Sequence, residues 1–245
     1  MATLQISPVA YQPHFVIVHP DKLGQCIILR IPEFIKSADG LLQGHPANIV
    51  WEQGESKSQL QYHWGETDAV KQQWGLDLSG QVTAGEDELT FEVTMHNLSD
   101  MPNNSGANLF CMQAGGHLDF QDYDGHRTFV RMPDRWVSVN EMQNGKFEDH
   151  RMCGYQQKRD GIAHSLIAKV STGGDWVLGI ALNQEGGVSC NHQPWPSCIH
   201  ANPVWATLAP GESETARGKV YFFRGESGNQ SGGLEELYHR YHKDF

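Results

Sequence analysis

Residues 89–97, LTFEVTMHN, alternate apolar and polar side chains without a break. Leu89, Phe91, Val93 and Met95 fall on one side, and Thr90, Glu92, Thr94 and His96 on the other. Successive side chains of a strand point to opposite faces, so this segment is expected to be a strand with one buried and one wet face. A sheet with one apolar face must lay it against another layer. The chain supplies further strands of the same kind. HFVIVH and QCIILRI, within 14–32, are β-branched runs broken by PDKLG and read as a hairpin. Residues 33–48 read as a loop. IVWEQ, LQYHW and WGLDLSGQVT follow, punctuated by Gly54, Gly65, Gly75 and Gly80. ANLFCMQ, HSLIAKV, DWVLGIALN and KVYFF continue the series, with the turn STGG joining the second and third. Residues 140–161 are polar and read as a long excursion. Only the tail departs, with Leu234, Leu237, Tyr238, Tyr241 and Phe245 at the spacing of an amphipathic helix. The expected fold is all-β, an antiparallel sandwich forming one domain over 1–245 with a short C-terminal helix.

A hydrophobic content of 39% with 19% charged residues suits a soluble domain with a large core. The net charge of -11 argues against nucleic acid or an anionic membrane as partner, since both demand a basic face. No apolar run is long enough for a membrane span. The N-terminal stretch lacks the basic and apolar regions of a signal peptide. Cys26, Cys111, Cys153, Cys190 and Cys198 are an odd set without close pairs, which reads as reduced thiols and a cytoplasmic location.

The densest chemistry lies in VSCNHQPWPSCIHANPVW, from Val188 to Trp205. Pro194, Pro196 and Pro203 lack backbone donors, so the stretch is expected to be a rigid loop with no central strand through it. It carries His192 and His200, and His117 is followed by Asp119 at strand spacing. Imidazole is both the side chain that titrates near neutral pH and a common metal ligand. A Cys198–His200 couple is the one local thiol–imidazole pairing. Trp195, with Asn191, Asn108, Arg127, Arg131 and Asp119, offers the mix a sugar needs. Its C–H faces stack on aromatic planes and its hydroxyls meet planar polar groups. No GxSxG elbow, phosphate loop or dinucleotide motif occurs.

Two stretches carry a family resemblance. LTFEVTMHNLSDMPNNSGANLF resembles the strand, Asn-containing turn and following strand of galactose-mutarotase-like proteins. VSCNHQPWPSCIHANPVWATLAPGESETARGKVYFF is similar to the C-terminal end of that family, where a strand leads through a Pro- and Asn-rich loop to L-x-P-G-E and a final strand. The resemblance implies a β-supersandwich and a sugar-like ligand on the open face of the larger sheet. It also marks departures. Where mutarotases carry a Glu base this chain reads Cys190-Asn191-His192, and where they carry a His-Pro pair it reads Leu109-Phe110-Cys111.

The functional expectation is a carbohydrate-active protein that binds a sugar or sugar acid, a small molecule or an oligosaccharide. His192, His200 and His117 are its acid/base candidates for mutarotation, epimerisation or β-elimination. A non-catalytic carbohydrate-binding sandwich is the alternative. A further one is a metal-dependent enzyme using His117, His192 and His200; otherwise no cofactor is expected.

Overall fold

The computed structural model describes residues 3–10, 12–22, 26–37, 43–44, 49–65, 75–103, 105–114, 118–144, 152–192, 197–225 and 230–245, with the side chains of 36–37, 43–44, 105–109 and 230–232 left aside. Alternating segments pair into two antiparallel sheets. The first contains β1 (Gln5–Pro8), β2 (Phe15–Val18), β3 (Ile27–Ser37), β4 (Gln43–Gly44), β9 (Ser105–Gln113), β12 (Met152–Gln156), β15 (Gly186–His192) and β16 (Ser197–Pro203). Its order is β1-β2-β3-β9-β16-β15-β12, and β4 pairs with β3. The second contains β5 (Glu52–Gln53), β6 (Gln59–Trp64), β7 (Leu76–Ala84), β8 (Glu88–Asn97), β10 (Thr128–Arg131), β11 (Trp136–Ser138), β13 (Leu166–Val170), β14 (Trp176–Leu182) and β17 (Ser213–Arg224). Its order is β11-β10-β13-β14-β17-β8-β7-β6-β5. The helices are α1 (Val139–Met142), α2 (Gln157–Asp160) and α3 (Gln230–Asp244).

Leu89, Phe91, Val93 and Met95 of β8 all face the interior, as their alternation requires. They meet Phe110 and Met112 of β9 across the sandwich, with Phe91 edge-on to Phe110 at 5.5 Å. Phe15, Trp51 and Tyr62 extend this core as successive edge-to-face pairs at 4.7 Å. A second apolar layer lies outside the nine-stranded sheet, where Leu234, Leu237 and Tyr241 of α3 cover Leu166, Ala168, Val177, Tyr221 and Phe223. Strands β13, β14 and β17 are therefore buried on both faces. That is why LIAKV, WVLGIAL and VYFF read as continuous apolar runs.

Close packing fixes Gly218 of β17. A Cβ there would stand 2.3 Å from the Ala181 carbonyl oxygen and 2.3 Å from the Phe91 ring. Gly218→Ala is expected to cost about 1–3 kcal/mol by forcing strand or ring to move, read as a lower urea midpoint.

Three expectations need correction. Val188–Trp205 is a hairpin, and β16 lies inside the sheet between β9 and β15. Pro194 and Pro196 fall between its strands, outside the described residues, and Pro203 ends β16, where a missing donor is tolerated. Residues 33–37, read as the start of a loop, continue β3 through an irregularity. The polar excursion 140–161 contains the edge strand β12, where Tyr155 is the buried side chain and apolar alternation is weak.

Candidate functional site

Strands β3, β9, β16 and β15 are neighbours, and the faces of β16 and β15 alternate strictly. Val188, Cys190, Ile199 and Ala201 point into the core. Ser189, Asn191, Cys198, His200 and Asn202 therefore share the outer face. In β9, Phe110 and Met112 point inward and Cys111 outward. Strand β3 adds the remaining group through a bulge. Arg30 pairs with Cys111 and Phe34 with Leu109, so Ile31, Pro32 and Glu33 together stand opposite Phe110. The peptide Ile31-Pro32 is cis. Bulges re-aim side chains, and this one brings Glu33 beside His200.

His200 Nε2 lies 3.2 Å from Cys198 Sγ and 3.6 Å from Glu33 Oε2. Its Nδ1 is 3.0 Å from Ser189 Oγ, which also accepts from Asn202 Nδ2 at 3.2 Å. Glu33 Oε1 accepts from Arg30 Nη1 at 2.9 Å and from Gln113 Nε2 at 3.5 Å. Ligand atoms of Cys111, Cys198 and His200 all lie within 4.8 Å of one another. Cys111 is 0%, Cys198 3% and His200 5% exposed, whereas the Arg30 side chain keeps 31% and Glu33 14%.

The cluster is polarised. Burial acts to raise the Glu33 carboxyl, but hydrogen bonds from His200 and Cys111 hold it down at about 2. Burial alone would lower His200; bonds to Cys198 and Glu33 push it up to about 9. A hydrogen bond from Cys111, against burial and with help from His200, brings Cys198 down to about 5. Burial and then the Cys198 sulfur keep Cys111 a thiol, well above its usual value. The shifts thus run toward thiolate at Cys198, imidazolium at His200 and carboxylate at Glu33, and toward the neutral thiol at Cys111.

The residues singled out in the sequence are scattered more widely. His192 projects from the inner face of β15, wholly buried, with Nδ1 on the Asp122 carbonyl. Burial and then the charge of Lys169 hold it down at about 3. It therefore does not meet His200, and the two cannot ligate one ion. Asn191 shares the outer face with His200. Asn108 lies in β9 opposite Ile35, with its side chain outside the described residues, as are His117 and Trp195 altogether. Arg127 clamps a turn: it donates to the carbonyls of Asp119, Gln121 and Val170. Asp119 pairs with Lys22 at 2.7 Å. Arg131 lies under α3, 4.0 Å from the Tyr238 ring and 3.4 Å from Glu235. Arg127 and Arg131 brace the nine-stranded sheet and its loops, and Asp119 ties the turn before β10 to the β2–β3 connection of the other sheet; none has a contact with the His200 cluster among those described.

Glu33 is the member of the cluster that the sequence does not single out, and Cys111 is singled out there only as a reduced thiol. Pro32 inside a β-branched run was the available signal, because a proline in a strand marks an edge or a bulge.

The cluster lies on the eight-stranded sheet, whereas the resemblance implied the larger one. No protein-family model and no curated protein matches the sequence. Solved structures match in shape. A galactose mutarotase related enzyme from Lactobacillus acidophilus is 10% identical, with 93% of this chain and 99% of that one aligned at a TM-score of 0.54. A galactose mutarotase-like protein from Lactobacillus casei is 11% identical, covering 89% and 100%, at 0.53. An alpha-N-acetylgalactosaminidase from Bifidobacterium bifidum, in complex with GalNAc, aligns over all of this chain at 10% identity and 0.62; this chain spans 38% of its length. The fold is the galactose-mutarotase-like β-sandwich, in a divergent form. Among the described residues no helix is long and apolar enough to cross a membrane.

Proposed function

We propose that the chain is carbohydrate-active, binding a sugar or sugar acid against the outer face of the eight-stranded sheet and moving a proton at a sugar carbon or ring oxygen. The observation that carries this reading is Glu33 Oε2 on that face, with its other oxygen held by Arg30 and Gln113. Glu33 stands in for the base that the C-terminal loop lacks, reaching the face from β3. Its carboxylate is ionised and accepts the proton as a weak base, the donors from His200 and Cys111 holding its pKa well below neutral. His200 is assigned a positioning role, because both ring nitrogens already have partners in Cys198, Glu33 and Ser189. Ser189, Asn191 and Asn202, half-buried on the same face, supply groups that match sugar hydroxyls. The mutarotase-like fold of sugar enzymes supports the substrate class.

A non-catalytic sugar-binding role is the second reading, favoured by His192 and His200 lying on opposite faces.

A ligand that binds only the native state raises its melting temperature. A thermal-shift panel of monosaccharides, uronic acids and oligosaccharides, run with and without added zinc, is expected to yield at least one hit. NMR of that sugar in D2O is then expected to show enzyme-accelerated anomer or C–H exchange. A flat panel under both conditions sinks the sugar reading, and a hit without exchange selects the non-catalytic one.

A further inference from the structure

We propose that Cys111, Cys198 and His200 hold a divalent transition ion of the zinc class on the outer face of the eight-stranded sheet, with Glu33 beside its remaining position. The ion stands on ligand geometry alone; that it is the centre of the sugar site rests on the reading above.

The donor set comes first. Two sulfurs and one imidazole nitrogen select zinc-like ions over magnesium or calcium, which prefer oxygen. Bond lengths of about 2.3 Å to sulfur and 2.0–2.1 Å to nitrogen set neighbouring donors of a tetrahedral centre about 3.3–3.8 Å apart. Cys198 Sγ and His200 Nε2 are 3.2 Å apart, and all three donors lie within 4.8 Å. Only small side-chain shifts are needed to close them around an ion.

The ligands also come from a rigid frame. His200 pairs with Cys111 and Cys198 with Gln113 across β16 and β9, so the three donors occupy one face of two interior strands. Metal-bound histidines hold the second ring nitrogen in a hydrogen bond that fixes the ring. Here Ser189 Oγ, itself held by Asn202, takes Nδ1 and leaves Nε2 for the metal.

Charge points the same way. Two thiolates, one neutral imidazole and a divalent cation sum to zero, which suits a site whose ligands are at most 5% exposed. Glu33 already has its counter-charge in Arg30. It is therefore not needed to neutralise the ion. On binding, any protons that the two thiols and the imidazole carry leave to solvent, and no oxidation state changes.

A disulfide is the competing use of two close cysteines. Cys111 and Cys198 are diagonal in the β9–β16 register, and diagonal residues stand about 7–8 Å apart. That is at or beyond the span of about 7 Å that a disulfide closes without backbone movement, so the pair suits a disulfide less well than a shared ion. Cys153 and Cys190, by contrast, are directly opposed in β12 and β15 with their sulfurs 2.9 Å apart. Their thiols are the ones to keep reduced during any metal measurement.

The full chain, purified under a phosphine reductant, is expected to carry stoichiometric zinc by elemental analysis. After chelation, cobalt(II) should restore it with thiolate-to-cobalt charge-transfer absorption. Cys111→Ser and Cys198→Ser should each weaken that absorption and the double variant should lose it, while Cys26→Ser and Cys153→Ser retain it in full. If either ligand variant fails to fold, cobalt titration of the chelated wild-type chain still decides. Absence of both zinc and the charge-transfer band in folded, reduced wild-type chain overturns the site. Retention of the band at full wild-type intensity in Cys198→Ser overturns it equally. Metal without any sugar hit fails only the sugar reading, and sugar turnover in metal-free chain fails only the placing of the ion at the centre of the sugar site.

Discussion

Glu33→Gln should lower kcat/KM on the sugar the chain accepts by about 10²–10⁴-fold, the usual contribution of a positioned acid/base group, with most of the loss in kcat. Glutamine keeps the length and planarity of the side chain, and its amide oxygen still accepts from Arg30. What it loses is the ability to take a proton. Arg30 keeps 31% of its side chain in solvent, and the buried His200 keeps Cys198 as its partner, so losing the Glu33 charge leaves neither cation both dry and unpaired. The melting temperature and bound metal are therefore expected to stay near those of wild type. A Glu33 whose role was structural would give the opposite pattern, a lower melting temperature with kcat preserved. Progress curves and a thermal melt on the same preparation separate the two. An unchanged kcat removes Glu33 from the chemistry.

The sandwich was legible because its strands carry their own pattern. LTFEVTMHN alternates because β8 has one face in the core and one in solvent. The C-terminal helix was legible for the same reason, since Leu234, Leu237 and Tyr241 cover a sheet on one side only. The site was less so. Reading Val188–Trp205 as a Pro-rich loop weighed three prolines more heavily than the alternation around them. The alternation prevailed because two of the prolines fall between the strands and the third ends one. Once that stretch is a strand, the i, i+2 rule applied to His117 and Asp119 applies instead to Cys198 and His200, and puts them on one face. Cys111 joins them only through the pairing of β9 with β16, and Glu33 only through the β3 bulge. Both depend on contacts across long sequence separations, which no local pattern encodes. His192 illustrates the reverse error. It looked available beside Trp195, but odd–even parity along β15 sends it into the core.

Asn97→Ala should cost about 3 kcal/mol of stability, because one wholly buried side chain joins the two stretches that carried the family resemblance. Asn97 Nδ2 donates to the carbonyls of Met101 at 2.8 Å and Leu208 at 2.9 Å. Its Oδ1 accepts from the Ser99 backbone N–H at 3.0 Å and the Ser99 hydroxyl at 2.7 Å. The backbone of Asn97 adds bonds to Glu212 and Gly211, so the turn after β8 is tied to the turn before β17. Truncation at Cβ strands these groups unequally. Met101 is exposed and its carbonyl keeps the Ser99 hydroxyl and recovers water, whereas the Leu208 carbonyl keeps only the Asn103 N–H and loses its buried second donor. An unmade buried hydrogen bond costs about 1–3 kcal/mol, and a cavity adds to it. Asn97→Asp is the sharper test. It is isosteric and keeps both Ser99 donors, yet it turns a carboxylate oxygen toward two carbonyls. If the donated bonds dominate, Asp should destabilise at least as much as Ala; if cavity volume dominates, Asp should be close to neutral. Urea unfolding distinguishes these outcomes, with an unchanged slope confirming that the native state alone has been altered.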